Sequence, residues 1–83
     1  MEEMMVIKDA LTLVKASAGS GVDKSKLLNA VKTIDGMSLS PEQKDYVFGI
    51  LETRRWITWH IEPVFHAKRW TITPAGLTAL EAM

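Results

Sequence analysis

The chain has 83 residues, 47% apolar and 24% charged, with ten basic against ten acidic side chains and no cysteine. That is enough for one domain, residues 1–83, with one modest core, and the composition argues against general disorder. It excludes a disulfide framework and any thiolate ligand or nucleophile, and with no net charge, affinity for nucleic acid must come from a local patch or from a dimer that sets two patches side by side.

The apolar runs are far too short to span a bilayer. The start, Met1-Glu2-Glu3-Met4-Met5, is acidic where a secretion signal is basic. The expectation is a soluble, cytoplasmic protein with no membrane partner.

From about Glu2 to Ser17, the residues Ile7, Ala10, Leu11, Val14 and Ala18 recur at helical spacing, with Lys8, Asp9, Thr12 and Lys15 opposite. Met4, Met5, Val6 and Leu13 widen the apolar surface beyond one stripe. Either this helix is buried on more than one side, or the surplus at Met4 and Met5 packs against a second copy to make a homodimer. Gly19-Ser20-Gly21 ends it.

A second helix starts near Asp23, a good N-cap, and runs through Leu27, Leu28, Val31 and Ile34. Lys24, Lys26 and Lys32 fall on its solvent side, and Asp35-Gly36 breaks it. The link from Asp35 to Leu39 is longer than the turn of a simple helix-turn-helix.

The third helix has the clearest start: Ser40 caps, Pro41 suits the first position and Gln43 completes a capping box. Tyr46, Val47, Ile50 and Leu51 form its expected inner face, with Phe48 at one edge. Arg54 and Arg55 suit the negative end of the helix dipole. Gly49 in mid-helix costs about 1 kcal/mol relative to alanine and suggests close approach of a neighbouring helix.

The period then changes. Ile57, Trp59 and Ile61 alternate with Thr58, His60 and Glu62, and Trp70 and Ile72 alternate with Arg69, Thr71 and Thr73. These are two strands of an antiparallel hairpin, the first ended by Pro63. Thr73-Pro74 opens a short last helix, with Leu77 and Leu80 toward the core. The expected class is α+β, mainly α: three helices, a two-stranded β-hairpin and a short C-terminal helix.

The string Leu51-Glu52-Thr53-Arg54-Arg55-Trp56-Ile57 resembles the end of the third helix of a winged-helix domain. Ile72-Thr73-Pro74-Ala75-Gly76 resembles the exit from the wing, and the combination is similar to transcriptional regulators of the MarR and PadR type. The resemblance covers roughly the second half of the chain. It implies a winged helix acting as a dimer on double-stranded DNA, its third helix in the major groove and its wing on the flanking backbone or minor groove. Carried onto this chain, Gln43 and Lys44 meet bases or phosphate, and Arg54, Arg55, His66, Lys68 and Arg69 meet phosphates. Glu42 and Asp45 repel phosphate at the same helix start. The alternative for these basic residues is an ordinary solvated surface with partners such as Glu52 and Glu62.

Three tryptophans sit at or in the hairpin. If Trp59 and Trp70 share its inner face, they pack on the third helix and make much of the core. If Trp56 or Trp59 is exposed beside Arg54 and Arg55, the pattern resembles a protein-binding hot spot. The second functional reading is therefore a winged-helix interaction module (an adaptor, assembly subunit or inhibitor) that meets a protein through Trp56, Trp59, Met4 and Met5.

His60 and His66 have only Glu62 as an obvious third ligand, short of a metal set. No serine or threonine sits in a nucleophile elbow, and Gly19-Ser20-Gly21 lacks the lysine of a phosphate loop. The expectation is a protein that is not an enzyme and carries neither cofactor nor metal.

Overall fold

The computed structural model describes residues 3–17, 20–32 and 36–83. Glu2, Ala18, Gly19, Ile34 and Asp35, each used above to mark a helix or its end, lie outside the described residues. The elements are α1 (Glu3–Ala16), α2 (Lys24–Ala30), α3 (Pro41–Thr53), β1 (Ile57–Ile61), β2 (Lys68–Ile72) and α4 (Pro74–Ala82). The fold is mainly α, with an antiparallel hairpin after three helices and a closing helix, a winged-helix-like arrangement.

Local chemistry starts these elements where expected. Asp23 accepts from the Ser25 amide at the head of α2. Ser40 and Gln43 form a reciprocal capping box: the Ser40 hydroxyl accepts from the Gln43 amide at 3.2 Å, and Gln43 Oε1 accepts from the Ser40 amide at 2.9 Å. Thr73 caps α4 by accepting from the Gly76 amide at 3.0 Å, with Pro74 at the first turn. Such caps satisfy amides that the helix leaves without partners.

The core is one cluster. Val6, Ile7, Ala10, Leu11 and Val14 of α1 meet Leu27, Leu28 and Val31, then Val47, Phe48 and Leu51, with Leu39, Ile57 and Trp70 closing it. Val6 beside Ile7 makes α1 buried on more than one side. The strands pair Ile57 with Ile72, Trp59 with Trp70 and Ile61 with Lys68. Side chains alternate across a strand, so those three pairs share one face of the ribbon. Val22 adds a third backbone to the ribbon: its amide donates to the Trp70 carbonyl at 2.9 Å, and the Trp70 amide donates back at 2.8 Å. Gly21, at φ 81°, brings the chain there; a Cβ on it would stand 2.9 Å from that of Arg69.

Several expectations are corrected. Helix α2 stops at Ala30, because Val31 turns extended at φ −75°, ψ 131° and Lys32 forms a bridge with Ser38. Val31 is still fully buried. On α3 the inner face is Val47, Phe48 and Leu51 with Ile50 packed against the core beside them, whereas Tyr46 is half-exposed and donates its hydroxyl to Glu3 at 2.9 Å. Phe48 turns inward and packs against Trp70 in a T-shaped pair, with ring centroids 4.8 Å apart at 90°. Gly49 admits no close neighbour, since nothing lies within 4 Å of a Cβ built there. On α4, Leu80 packs on the core but Leu77 is exposed. The helix instead buries Gly76 against Trp56.

Candidate functional site

The three tryptophans separate. Trp70 is 3% exposed, Trp59 is 49% exposed although directly opposite it, and Trp56 is half-buried against the core. The ribbon overhangs the core, so its inner face is covered at Ile57 and Trp70 but open at Trp59 and Ile61. The expected packing of Trp59 on the third helix is therefore corrected, and Trp59 forms surface.

Cations and rings alternate across this overhang. The Lys24 ammonium lies 4.4 Å from the Phe48 ring centroid, and Phe48 meets Trp70 edge-on. The Lys68 ammonium lies 4.3 Å from the Trp59 ring and 5.0 Å from that of Trp70. Such contacts contribute about 0.5–1 kcal/mol each at exposed sites, and they narrow the positions that a lysine head explores. Lys24, Lys68 and Arg69 all border one open depression of about 470 Å³, which Asp23, Phe48 and Glu52 also line. Lys24 enters this set without a local sequence signal, because only the Val22–Trp70 pairing brings the start of α2 to the wing.

The remaining expected contact residues are dispersed. Gln43 is engaged by its cap, and the Lys44 ammonium donates to Asn29 Oδ1 at 2.9 Å, which ties α3 to α2. Arg54 closes α3 and lies over the Trp56 ring at 5.4 Å. Arg55 follows in a left-handed conformation at φ 57°. The outward side of α3 carries Glu42, Asp45, Tyr46, Gly49 and Thr53. The Glu3 carboxylate holds the hydroxyl proton of Tyr46 in a hydrogen bond, and its negative charge adds to the effect, so the Tyr46 pKa is raised.

The wing tip was not singled out by the sequence expectations, yet among the described residues it holds the two most exposed large apolar side chains. Phe65 is 81% exposed and Val64 72%. A signal was present, since turns are ordinarily polar and this one reads Pro63-Val64-Phe65-His66. The Glu62 carboxylate accepts from the amides of Val64 at 2.8 Å and Phe65 at 2.7 Å, while the Glu62 amide donates to the Ala67 carbonyl at 2.7 Å. The Phe65 bond, then the Val64 bond, holds the carboxyl below the usual carboxylate range. His66 leaves the turn left-handed at φ 56°.

A second concavity lies between α1 and α4, with exposed Met4 and Met5 beside Lys8, Thr12 and Met83. Among the described residues no group of three His, Asp or Glu side chains is arranged to hold a metal ion. Among them, too, no helix is long and apolar enough to cross a membrane. The sequence matches no protein-family model, and it matches no curated protein.

Proposed function

We propose that this is a small DNA-binding protein, a winged-helix regulator of the MarR and PadR type that works in the cytoplasm as a homodimer and catalyses no reaction. The observation that carries the reading is the convergence of Lys24, Lys68 and Arg69 on one depression beside α3 and the wing, where they outnumber the carboxylates of Asp23 and Glu52 that also line it. Arg54 and Arg55 at the end of α3 and His66 at the wing tip lie outside that depression and are separate phosphate contacts on this reading. Gln43 and Lys44 reach bases or phosphate by exchanging their present hydrogen bonds. Met4 and Met5 supply an apolar surface for the second copy.

Neutral net charge limits the affinity to what this patch contributes. About three to five phosphate contacts give a slope of log affinity against log salt of about −2.7 to −4.5. Fluorescence anisotropy with duplex DNA across a salt series tests this. Lys68→Gln with Arg69→Gln should weaken binding evenly across sequences and flatten the slope by about one unit for each phosphate no longer neutralised. No binding at low salt sinks the reading.

A protein-binding module is the second reading, favoured by the outward face of α3. Glu42 and Asp45 open it, and Tyr46 and Gly49 follow, where a DNA-reading helix needs donors. On this reading Trp59, Trp56, Met4 and Met5 meet the partner, and the protein stays folded while ignoring DNA at every salt concentration.

A further inference from the structure

The outward face of α3 runs through Glu42, Asp45, Tyr46, Gly49 and Thr53 to Arg54, all of them exposed. An open groove of about 410 Å³ follows it from Asp45 to Arg54, with half-buried Ile50 in its wall. Tyr46 and Gly49 make a projection and a hollow side by side on this face. Tyr46 is 50% exposed, with its hydroxyl tied back to Glu3 of α1. Gly49 has open space where a Cβ would stand. Three positions apart on a helix, the two are neighbours.

Charge is divided along the same face. Glu42 and Asp45 occupy its first half, with the Glu3 carboxylate beside Tyr46, and Arg54 and Arg55 follow at its end. A face acidic at one end and basic at the other complements a copy of itself laid antiparallel. Antiparallel helices also set their dipoles in opposition, which adds to the attraction.

We propose that α3 pairs antiparallel with α3 of a second copy about a twofold axis, with Tyr46 of each copy seated over Gly49 of the other and Glu42 of each beside Arg54 of the other. This rests on the protein-binding reading above and names a second copy as the partner. Such an axis exchanges Glu42 with Thr53, Asp45 with Ile50 and Tyr46 with Gly49, so the face maps onto itself, as an isologous interface requires. The bare backbone at Gly49 lets the helices pack at the close end of the usual range of about 8–10 Å. The groove shares no lining residue with the concavity at Met4 and Met5, so this contact is separate from one made there. Thirteen residues of helix span only about 20 Å. A contact of that length buries less than a standard interface, and the dimer is weak and depends on concentration.

The test is sedimentation velocity over a protein concentration series without DNA. The wild-type chain should show a reversible monomer–dimer equilibrium. Gly49→Gln places a side chain where Tyr46 of the other copy sits, and should weaken dimerisation about tenfold or more. Circular dichroism should show it as folded as the wild type, because nothing in its own chain lies within 4 Å of the added Cβ. Glu42→Arg and Arg54→Glu should each weaken the dimer, and the two together should restore it. A monomer at every concentration, a dimer indifferent to Gly49→Gln, or a double charge variant no tighter than either single one overturns the pairing. A dimer that Met5→Glu abolishes and Gly49→Gln spares sits on α1, and overturns it as well. The protein-binding reading is decided separately by titration with duplex DNA, so its failure and that of the pairing are told apart.

Discussion

Gly76 lies so close to Trp56 that a Cβ there would collide with the Trp56 carbonyl oxygen. The first turn of α4 is pressed onto the turn that leaves α3, and Thr73 fastens the two. Its amide donates to the Trp56 carbonyl at 2.9 Å, and its hydroxyl donates to the Arg55 carbonyl at 2.7 Å while accepting from the Gly76 amide. Backbone cannot yield as a side chain does, so Gly76→Ala should destabilise by about 1–3 kcal/mol, as overpacking does. In a domain this small each kcal/mol lowers Tm by about 4–8 °C, and thermal unfolding followed by circular dichroism measures it. An unchanged Tm contradicts the close approach.

Gly49→Ala should move stability the other way. Gly49 sits inside α3 with open space where a Cβ would go. The substitution removes backbone freedom from the unfolded chain and raises stability by about 0.4–1 kcal/mol. The same melting experiment reads it, and DNA or partner affinity measured alongside shows whether the outward face of α3 needs a bare backbone.

Trp70 and Trp59 face each other across the ribbon, yet their replacements should differ sharply. Trp70→Ala empties a buried site against Phe48 and should cost about 3–5 kcal/mol, enough to threaten folding of a marginal domain. Trp59→Ala removes a half-exposed ring and its interaction with Lys68, and should cost about 0.5–1 kcal/mol. Urea unfolding separates them, and comparable costs would place Trp59 in the core after all.

The wing tip should be sensitive to acid. Because the folded state lowers the Glu62 pKa, its contribution is complete above the ordinary carboxylate range and fades as pH falls through the lowered value. The amide resonances of Val64 and Phe65 should therefore titrate together, with a midpoint below that of a free glutamate. In Glu62→Gln the titration should vanish. A midpoint at the ordinary carboxylate value would show that the two amide bonds do not form in solution.

Helix starts were legible because capping is local. Ser40, Pro41 and Gln43 contain all the groups that begin α3, and the same holds for Asp23 and for Thr73 with Pro74. Helix ends were less so. Val31 has the spacing of a helical residue and the burial expected of one, but the chain turns there to let Lys32 meet Ser38. The resemblance at Ile72-Thr73-Pro74-Ala75-Gly76 acquires a physical content: it describes the junction of α4 with Trp56, and so speaks for architecture.

Residues a few positions apart were enough to read the order of helices and strands and the positions of the caps. The register of the hairpin, which tryptophan is core and which is surface, why Gly76 is glycine, and how Lys24 joins Lys68 and Arg69 came from the folded arrangement alone. Those outcomes depend on contacts between distant segments, above all the pairing of Val22 with Trp70, and on how far the ribbon reaches past the helices. Periodicity assigns a residue to a face, but whether that face is covered depends on what the rest of the chain brings against it.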